Sequence, residues 1–450
     1  MSFTPPAVVS RRQVVGAGTF AVFGSALPVA SSHAQDRYAR FRGQTVAFCI
    51  PDHPHYDVMQ KLLPQFTADT GIKVELAREN ILRMKHVQLA EMAKPQSSFD
   101  LVTYIVTWKG EYVKKNLIAP LEPFFKDARL ADPDYAMGDL VPRYVQNIGL
   151  VGGPKGYLPG PGARLYGLPF GAETSVLAYR RDVFEKHGFV APRTYTELAR
   201  LLQPLREKTG MAALTSRAQA GHNCVHAWLL HLNALGGRVF DDRWMPRFHQ
   251  APGVQALELL KQIADTGPKG MAQFTYNDML ASFLQGESAM YLDSTAVFGA
   301  VRSSPLSKVE GKVSYVLHPR GSHYASQSGG LGLAIPRTAA HGEAAFLLMQ
   351  WLTAKAQDKA LARMGNAPGR VSTLTDTALV RQFPEFITLR EQLRYADLDW
   401  RPIIPEWDEI NTGPLGAAVH QGLTGVKPPA KALGDIVHRV NDIMAAAGYR

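Results

Sequence analysis

The sequence predicts an α/β protein in which two lobes each contain a parallel-rich β-sheet flanked by helices. The first observation is the order strand, helix, strand, helix, strand between residues 46 and 106, which is typical of a parallel sheet with helices on both faces. The second is a Pro/Gly-rich stretch at 152–162, after which the α/β alternation resumes. The third is length, because residues 35–450 are enough for two lobes of ordinary size.

The first 34 residues have the features of an export signal. Arg11 and Arg12 precede an uncharged stretch at 14–30 that is too short to span a bilayer comfortably. Small residues then lead up to Ala34, and no cysteine nearby offers a site for a lipid anchor. We therefore expect a twin-arginine signal peptide over 1–34, cleaved near Ala34, and a mature protein free in the periplasm.

The first lobe begins with short apolar runs separated by helical patterns. Apolar residues recur at helical spacing from Met59 to Phe66, and Gly71 is a typical helix stop. Alternating Ile72, Val74 and Leu76 then predict a strand. The predicted elements are strands at 46–50, 72–76 and 99–106, with helices ending at Gly71 and spanning 85–93.

The later part of the chain repeats this alternation. A strand at 175–179 follows the Pro/Gly-rich stretch, so the chain is expected to cross between lobes there. Thr194 and Glu197 have capping-box spacing at the start of a helix, and Gly236 and Gly237 end another. The remaining predictions are helices at 254–264, 277–285, 345–352 and 432–446, and strands at 289–292 and 331–335.

Charge and cysteine content narrow the possible partners. The formal net charge is +10, but Lys and Arg are scattered instead of forming a basic stripe, so we expect no nucleic-acid partner. The positive balance leaves open an anionic ligand or an acidic patch on a partner. Cys49 and Cys224 fit no metal-binding spacing, and two buried thiols are favoured over a disulfide.

A search for catalytic motifs predicts no catalytic residue, no metal site and no cofactor. The chain lacks HExxH and GxxxxGK[ST], and residues 286–290 lack the last glycine of a GxSxG elbow. His53 and His55 could bind a metal, but alternate histidines in a loop are more often a polar rim. Paired carboxylates for glycoside hydrolysis are a spatial feature, and only Glu173 and Asp293 are candidates for them.

Several ordered segments resemble the carbohydrate-type extracellular solute-binding proteins of ABC importers. The similarity runs from about residue 46 to 449. Its blocks are LPQFTADTGIKV at 63–74, FDLV at 99–102, YGLPF at 166–170, YRRDVF at 179–184, FLQGESAM at 283–290 and GGLGLAIP at 329–336. DHPH at 52–55 and the segment 401–407 look more like the polyol-binding branch, although Leu331 stands where that branch often has Trp.

The resemblance implies a type II periplasmic-binding-protein fold, with several crossover strands and a ligand held between the lobes. The expected divisions are lobe 1 at 35–172, lobe 2 at 173–291, a return to lobe 1 at 292–335, and lobe 2 with the C-terminal helices at 336–450.

Ten residues are expected to contact ligand, each with a structural alternative such as core packing, a hinge ion pair or a helix cap. Some follow a predicted strand or lie at a crossover, where open α/β sheets place ligands. Others are polar or aromatic groups in segments that contact ligand in the related family. The ten are Tyr104, Trp108, Glu173, Asn223, His226, Asp293, Gly330, Arg370, Trp407 and Asn411.

The predicted function is that of a non-catalytic, monomeric periplasmic receptor. It would capture a sugar or sugar alcohol by closure of the lobes and deliver it to the transmembrane subunits of an ABC permease. Two alternatives remain open at this point: the same receptor with a glycerol phosphate or organic acid as ligand, and an exported glycoside hydrolase.

Overall fold

A computed structural model describes residues 36–153 and 159–449. The predicted signal peptide at 1–34 and its cleavage point lie outside these residues. The strands are β1 Thr45–Pro51, β2 Lys73–Glu79, β3 Leu101–Ile105, β4 Leu150–Val151, β5 Arg164–Leu165, β6 Leu168–Glu173, β7 Ser175–Arg180, β8 Ala212–Thr215, β9 Ser288–Ser294, β10 Val313–Leu317, β11 Ser326–Gln327, β12 Gly329–Ala334 and β13 Ala396–Asp397.

Helices cover the faces of the two main sheets. They are α1 Pro54–Met59, α2 Leu63–Thr70, α3 Ile81–Met92, α4 Lys109–Lys114, α5 Glu122–Lys126, α6 Pro142–Tyr144, α7 Arg181–His187, α8 Tyr195–Thr209, α9 His222–Ala234, α10 Ala251–Thr266, α11 Tyr276–Leu284, α12 Val297–Ser303, α13 Gly342–Leu352, α14 Lys355–Arg363, α15 Val371–Leu374, α16 Thr377–Gln382, α17 Glu385–Leu393, α18 Trp407–Thr412, α19 Pro414–Leu423, α20 Pro429–Gly434 and α21 Val437–Ala446. Among the described helices, none combines the length and apolar character needed to cross a bilayer.

The first lobe contains a five-stranded sheet in the order β2-β1-β3-β12-β6. β1 pairs in parallel with β2 and with β3, as the strand and helix alternation predicted. β12 then joins β3 and β6 in antiparallel pairing, because it enters this sheet from the other lobe. All five residues of β3 are buried, which is typical of a central strand covered on both faces.

The second lobe contains a four-stranded sheet in the order β10-β7-β9-β8. Only β8 and β9 are parallel, while β7 pairs antiparallel with both β9 and β10. The sheets are therefore mixed, and the parallel-rich expectation holds for β1 to β3 but not for the strands that connect the lobes. The predicted capping box is confirmed at α8, where the Thr194 side chain accepts from the backbone N–H of Glu197.

Three crossovers between the lobes lie side by side. The chain passes from β6 to β7 at Thr174, leaves β9 at Thr295 and passes from β11 to β12 at Ser328. The carbonyl of Thr174 accepts the backbone N–H of Thr295 at 2.9 Å, and its hydroxyl donates to the carbonyl of Gln327 at 2.7 Å. These bonds tie the crossovers into one narrow hinge between the two buried cores.

The observed lobes differ from the predicted divisions, most clearly at β10 and α13. β10 lies in the second sheet, within the segment 292–335 that was assigned to the first lobe. α13 packs against β3 in the first sheet, within the segment 336–450 that was assigned to the second. The lobe to which a strand or helix belongs depends on long-range contacts, which the local patterns of β10 and α13 do not contain.

Two local features complete the comparison with the sequence. The helix predicted at 432–446 is two helices, α20 and α21, separated near Asp435. The prediction of two buried thiols is confirmed, since Cys49 and Cys224 are both buried and free. Burial raises the pKa of the Cys49 thiol to about 11 and that of Cys224 to about 12.

Candidate functional site

A cavity of about 160 Å³ lies where the carboxyl ends of strands from both lobes meet. Asp52 follows β1, Asn80 follows β2 and Ile105 ends β3, while Arg217 follows β8 in the other lobe. The cavity is smaller than the sites that hold drug-sized ligands, so it suits a small molecule. Its lining comprises Asp52, His53, Asn80, Ile81, Ile105, Glu173, Arg217, His222, Asn223, His226, Thr275, Tyr276, Asn277, Gln327, Gly330, Leu331 and Arg401.

One wall of the cavity is built on a histidine and carboxylate pair. His53 caps the N-terminus of α1, and its Nδ1 accepts the backbone N–H of His55 at 3.2 Å. A neutral His53 ring therefore carries its proton on Nε2, which lies 3.0 Å from Oε1 of Glu173 and donates to it. This bond holds Glu173, the last residue of β6, at the edge of the hinge.

The facing wall contains a buried ion pair. Arg217 donates from Nε to Oδ2 of Asp293 at 2.9 Å and from Nη2 to Oδ1, which makes the pair bidentate. Burial alone would raise the pKa of the Asp293 carboxyl, but the charge and the hydrogen bonds of Arg217 hold that pKa well below its ordinary value. Asp293 therefore stays ionised and fixes the Arg217 guanidinium, which lines the cavity.

Arg401 is the second guanidinium at the cavity. Its side chain lies over the ring of Trp400, with Cζ 4.6 Å from the ring centroid. Burial and the nearby charge of Arg217 lower the pKa of Arg401 to about 9, so the side chain is protonated at neutral pH.

Two further histidines are neutral parts of the wall. Asn411 donates from Nδ2 to Nδ1 of His222 at 3.0 Å, which leaves the Nε2–H of His222 as its remaining donor. Burial lowers the pKa of His226 to about 4 and that of His222 well below its ordinary value. Neither ring is therefore charged at neutral pH.

The apolar part of the lining is mostly aliphatic. Ile81, Ile105 and Leu331 contribute to it, together with the ring of Tyr276. The Arg217 guanidinium lies 4.8 Å from the centroid of that ring, and the His53 ring lies nearly parallel to it at 6.2 Å.

Several polar atoms of the wall are buried without a hydrogen-bond partner. They are Nδ1 and Nε2 of His226, the hydroxyl of Tyr276 and Nε of Arg401. His226 Nε2 lies 3.6 Å from Asp293 Oδ1, which is too long for a hydrogen bond. Because an unsatisfied buried polar group is costly, these atoms indicate a ligand with several hydrogen-bonding groups of its own.

Four of the ten predicted residues line this cavity: Glu173, Asn223, His226 and Gly330. Gly330 has a φ of +89°, and a Cβ there would lie 2.5 Å from the carbonyl oxygen of Gly171. Close packing of β12 on β6 therefore requires glycine at this position. Direct contact of any of the four with a ligand remains a prediction.

Tyr104 and Trp108 do not line the cavity. Side chains alternate along β3, so Ile105 faces the cavity while Tyr104 is fully buried and donates to the carbonyl of Ile148 at 2.7 Å. Its ring fills space left by Gly167 and Gly332, where a Cβ would clash with it. Trp108 is 5% exposed and packs against Tyr112 in the first core.

Arg370 and Trp407 also lie elsewhere. Arg370 is fully buried, donates to the carbonyls of Thr353 and Ala136, and pairs with Asp139 at 3.3 Å. It therefore ties loops of the first lobe together instead of reaching the cavity. Trp407 is part of the second core.

Asp293 and Asn411 do not line the cavity, but each bonds to a residue that does. Asp293 holds Arg217, and Asn411 holds His222. The structural alternative expected for Asp293 was a helix cap, and the structure shows an ion pair with Arg217 instead.

The site prediction missed Arg217, Tyr276, Asn80 and Arg401. A usable signal existed for Asn80, because it follows a strand whose carboxyl end faces the cavity, whereas Arg217 follows β8, a strand that the sequence did not predict. Tyr276 gave no such signal, since it reaches the cavity from the first turn of α11. Within residues 36–153 and 159–449, no group of three or more His, Cys, Asp or Glu side chains is arranged to hold a metal ion.

Comparison with known proteins gives a consistent result. The sequence profile of the family described as "Bacterial extracellular solute-binding protein" matches residues 52–359. A mannitol-binding protein of Pseudomonas aeruginosa is 28% identical over 417 residues, which are 87% of this chain and 90% of that protein. A probable amino-acid ABC transporter periplasmic-binding protein of Sinorhizobium fredii is 24% identical over 444 residues, or 96% and 98% of the two chains.

A solved structure supports the same fold. The solute-binding protein of an ABC transporter from Agrobacterium radiobacter, in complex with ribitol, superposes with a TM-score of 0.80. It is 26% identical, and the match covers 89% of this chain and 99% of that one.

Proposed function

Given that the chain belongs to the bacterial extracellular solute-binding protein family, we propose that its ligand is a small neutral sugar or sugar alcohol. As a member of that family with the two-lobed fold, the chain is the substrate-binding component of an ABC importer. The proposed ligand class rests on the cavity and on the ligands named for two relatives, mannitol and ribitol.

The observation that carries the proposal is a cavity rich in polar groups whose formal charges balance. Arg217 is neutralised by Asp293, the charge of Arg401 is offset by the carboxylate of Glu173, and the carboxylate of Asp52 is paired with Arg78 at 3.1 Å. His222 and His226 are neutral. A neutral molecule with many hydroxyls could satisfy the unpartnered atoms of the wall without adding a charge to a balanced site.

We further propose that the ligand is held between the lobes. The lining comes from both sheets, so a ligand makes all of its contacts only when the lobes are closed about Thr174, Thr295 and Ser328. The permease would then recognise the closed form. The family supports a periplasmic location. Export by the twin-arginine route, cleavage near Ala34 and a monomeric state remain part of this proposal.

An anionic ligand fits the balanced cavity less well. A phosphate or organic acid would find Arg401, but it would also meet the carboxylates of Glu173 and Asp52. An amino acid is a second candidate, because its two charges could match Arg401 and Glu173 and because one relative is described as an amino-acid binding protein. Against it, Oε1 of Glu173 already accepts from His53.

We propose that the protein is not an enzyme. The hydrolase alternative needs two acids on the cavity wall. Of its two candidates, only Glu173 lines the cavity, while Asp293 is held ionised by Arg217 and so is unsuited to donate a proton.

The test is a thermal-shift screen of the exported protein with D-mannitol, ribitol, D-glucose, maltose, glycerol 3-phosphate and single amino acids. A ligand at about 100 times its Kd stabilises the folded state by about 2.7 kcal/mol, which raises the Tm measurably. We expect a selective shift with a hexitol, pentitol or monosaccharide. A shift only with glycerol 3-phosphate or an amino acid would overturn the ligand class and leave the receptor function standing.

A further inference from the structure

Arg401 differs from the other fully buried arginines at the core of the molecule. Arg217 is paired with Asp293, and Arg370 donates to two carbonyls and to Asp139. Arg401 is only 4% exposed and lines the cavity, and its buried Nε has no hydrogen-bond partner within residues 36–153 and 159–449. A buried cation with an unpartnered N–H lowers the stability of the folded protein. The presence of Arg401 at the cavity therefore indicates that the ligand supplies the missing hydrogen-bond acceptor.

Trp400 fixes the direction in which Arg401 points. The indole Nε1–H donates to the carbonyl of Ser328 at 2.8 Å, and the ring lies under the Arg401 guanidinium. The same ring packs edge to face against His226, with 5.2 Å between centroids. Ser328 is the crossover between β11 and β12, and its carbonyl also accepts from the side chain of Asn147 in the first lobe. Trp400 therefore links the cavity wall to the hinge.

We propose that Arg401 is the specificity-determining residue of the cavity and that its guanidinium donates hydrogen bonds to two adjacent hydroxyl oxygens of the ligand. Trp400 is its positioning residue. The inference rests on the proposed function and deepens it, because it requires a ligand with a vicinal diol. The planar guanidinium presents parallel N–H groups that match two neighbouring oxygens, whereas a lysine ammonium is a point charge without this fork. Because Arg401 is already held against the ring of Trp400 before the ligand binds, its side chain loses little rotational freedom on binding.

The test compares affinity with stability in the full mature protein. Arg401→Met removes a buried charge that has no ion-pair contact among the described residues, and it keeps an apolar stem. The Tm without ligand should therefore rise, while the Kd for D-mannitol or ribitol rises at least about 50-fold. Arg401→Lys keeps the charge but not the fork, and its Kd should rise about 20-fold. Exposed Arg390→Met is the matched control and should leave both quantities unchanged.

Trp400→Phe keeps an aromatic ring beneath Arg401, but it removes the N–H that bonds to Ser328 together with part of the indole ring system. We expect a Kd raised about fivefold and loss of most of the ligand-induced change in tryptophan fluorescence. An Arg401→Met protein that binds within twofold of wild type would overturn the inference, as would a lower Tm with unchanged Kd. If wild type binds neither D-mannitol, ribitol nor any other neutral compound of the screen, the proposed function fails first and the inference falls with it.

Discussion

At the scale of single residues, the position of Glu173 is set by the backbone through His53. The His55 N–H occupies Nδ1 of the ring, so the ring proton is on Nε2 and points at the Glu173 carboxylate. The second carboxylate oxygen is not part of this bond, and Glu173 lines the cavity. It is thus suited to accept a hydrogen bond from a ligand hydroxyl.

Glu173→Gln keeps the shape of the side chain and removes its charge. We expect the Kd for the ligand to rise about tenfold, because hydrogen bonds to a charged acceptor are worth about 1.5–3 kcal/mol. Isothermal titration measures this change. The control is Glu185→Gln, an exposed glutamate of α7, which should leave the Kd unaltered. Equal affinities for Glu173→Gln and wild type would remove Glu173 from the binding site.

Asp358 is a buried carboxyl outside the cavity. Its Oδ1 accepts the backbone N–H of Gly369 at 2.8 Å, while Oδ2 has no partner within the described residues. Burial raises the pKa of Asp358 to about 6. The folded state therefore favours the protonated acid, and this stability is fully present below about pH 4 and is lost as the pH rises through about 6.

Asp358→Asn keeps the acceptor for Gly369 and cannot ionise. At pH 7.5 its free energy of unfolding should exceed that of wild type by about 3 kcal/mol, and the difference should shrink toward zero near pH 4. Urea unfolding at the two pH values measures it, with the exposed Asp69→Asn as control. A variant less stable than wild type at pH 7.5 would show that the ionised carboxylate is favourable in the folded state.

Which residues line the cavity was harder to predict from the sequence than the secondary-structure elements or the fold class. Glu173 was found because a crossover is visible in the sequence, and His226 because its segment contacts ligand in the related family. Tyr104 was predicted to contact the ligand, but the next residue, Ile105, lines the cavity, because successive side chains of a strand point to opposite faces of the sheet. Arg401 and Tyr276 come from segments that are distant in sequence from the other lining residues, and their convergence depends on tertiary packing that no local pattern encodes.

At the scale of elements, α18 connects the two lobes. It packs on α9 and α19 in the second lobe, and its Asp408 lies 3.0 Å from the Nζ of Lys85 in α3 of the first lobe. Lys85 is also paired with Glu111 of α4 at 2.9 Å. A second ion pair, Lys114 with Glu406 at 3.5 Å, lies beside it. These contacts stabilise the approach of the lobes independently of the cavity.

Asp408→Asn removes the charge across the lobes but leaves Lys85 its partner Glu111. We expect the dissociation rate of the ligand to rise about two- to fivefold, because a half-exposed ion pair is worth about 0.2–1 kcal/mol. Stopped-flow fluorescence measures this rate. Glu409→Gln is the control, since the adjacent Glu409 faces Arg439 within the second lobe. The interlobe role would be refuted if both variants had the wild-type rate.

Elements were predicted better than residues. Strong local signals were confirmed, such as the stop at Gly71, where φ is +73°, and the capping box of α8. The strands β8 and β10 were missed, because apolar runs of four or five residues do not stand out in one sequence even beside turn residues such as Gly210 and Gly311. The separation of α20 from α21 was also missed, since apolar spacing continues across Asp435.

At the scale of the whole molecule, the fold class and the family could be predicted, whereas the return path of the chain could not. The order of strands and helices fixes a parallel sheet locally. Whether β10 and β12 join the first or the second sheet depends instead on which sheet edge each strand meets after a crossover. No local sequence pattern specifies that edge. The two lobes, their mixed sheets and the three-part hinge together place a small polar cavity where closure can enclose a ligand.

The most direct test of a neutral ligand between closing lobes is isothermal titration of the exported protein with D-mannitol and with ribitol, at about 50 mM and about 500 mM NaCl. We expect saturable binding of one of them at one site, with a Kd that changes less than about twofold between the two salt concentrations because no net charge is buried. No binding of either polyol, together with binding of glycerol 3-phosphate that weakens steeply in high salt, would contradict the neutral-ligand proposal.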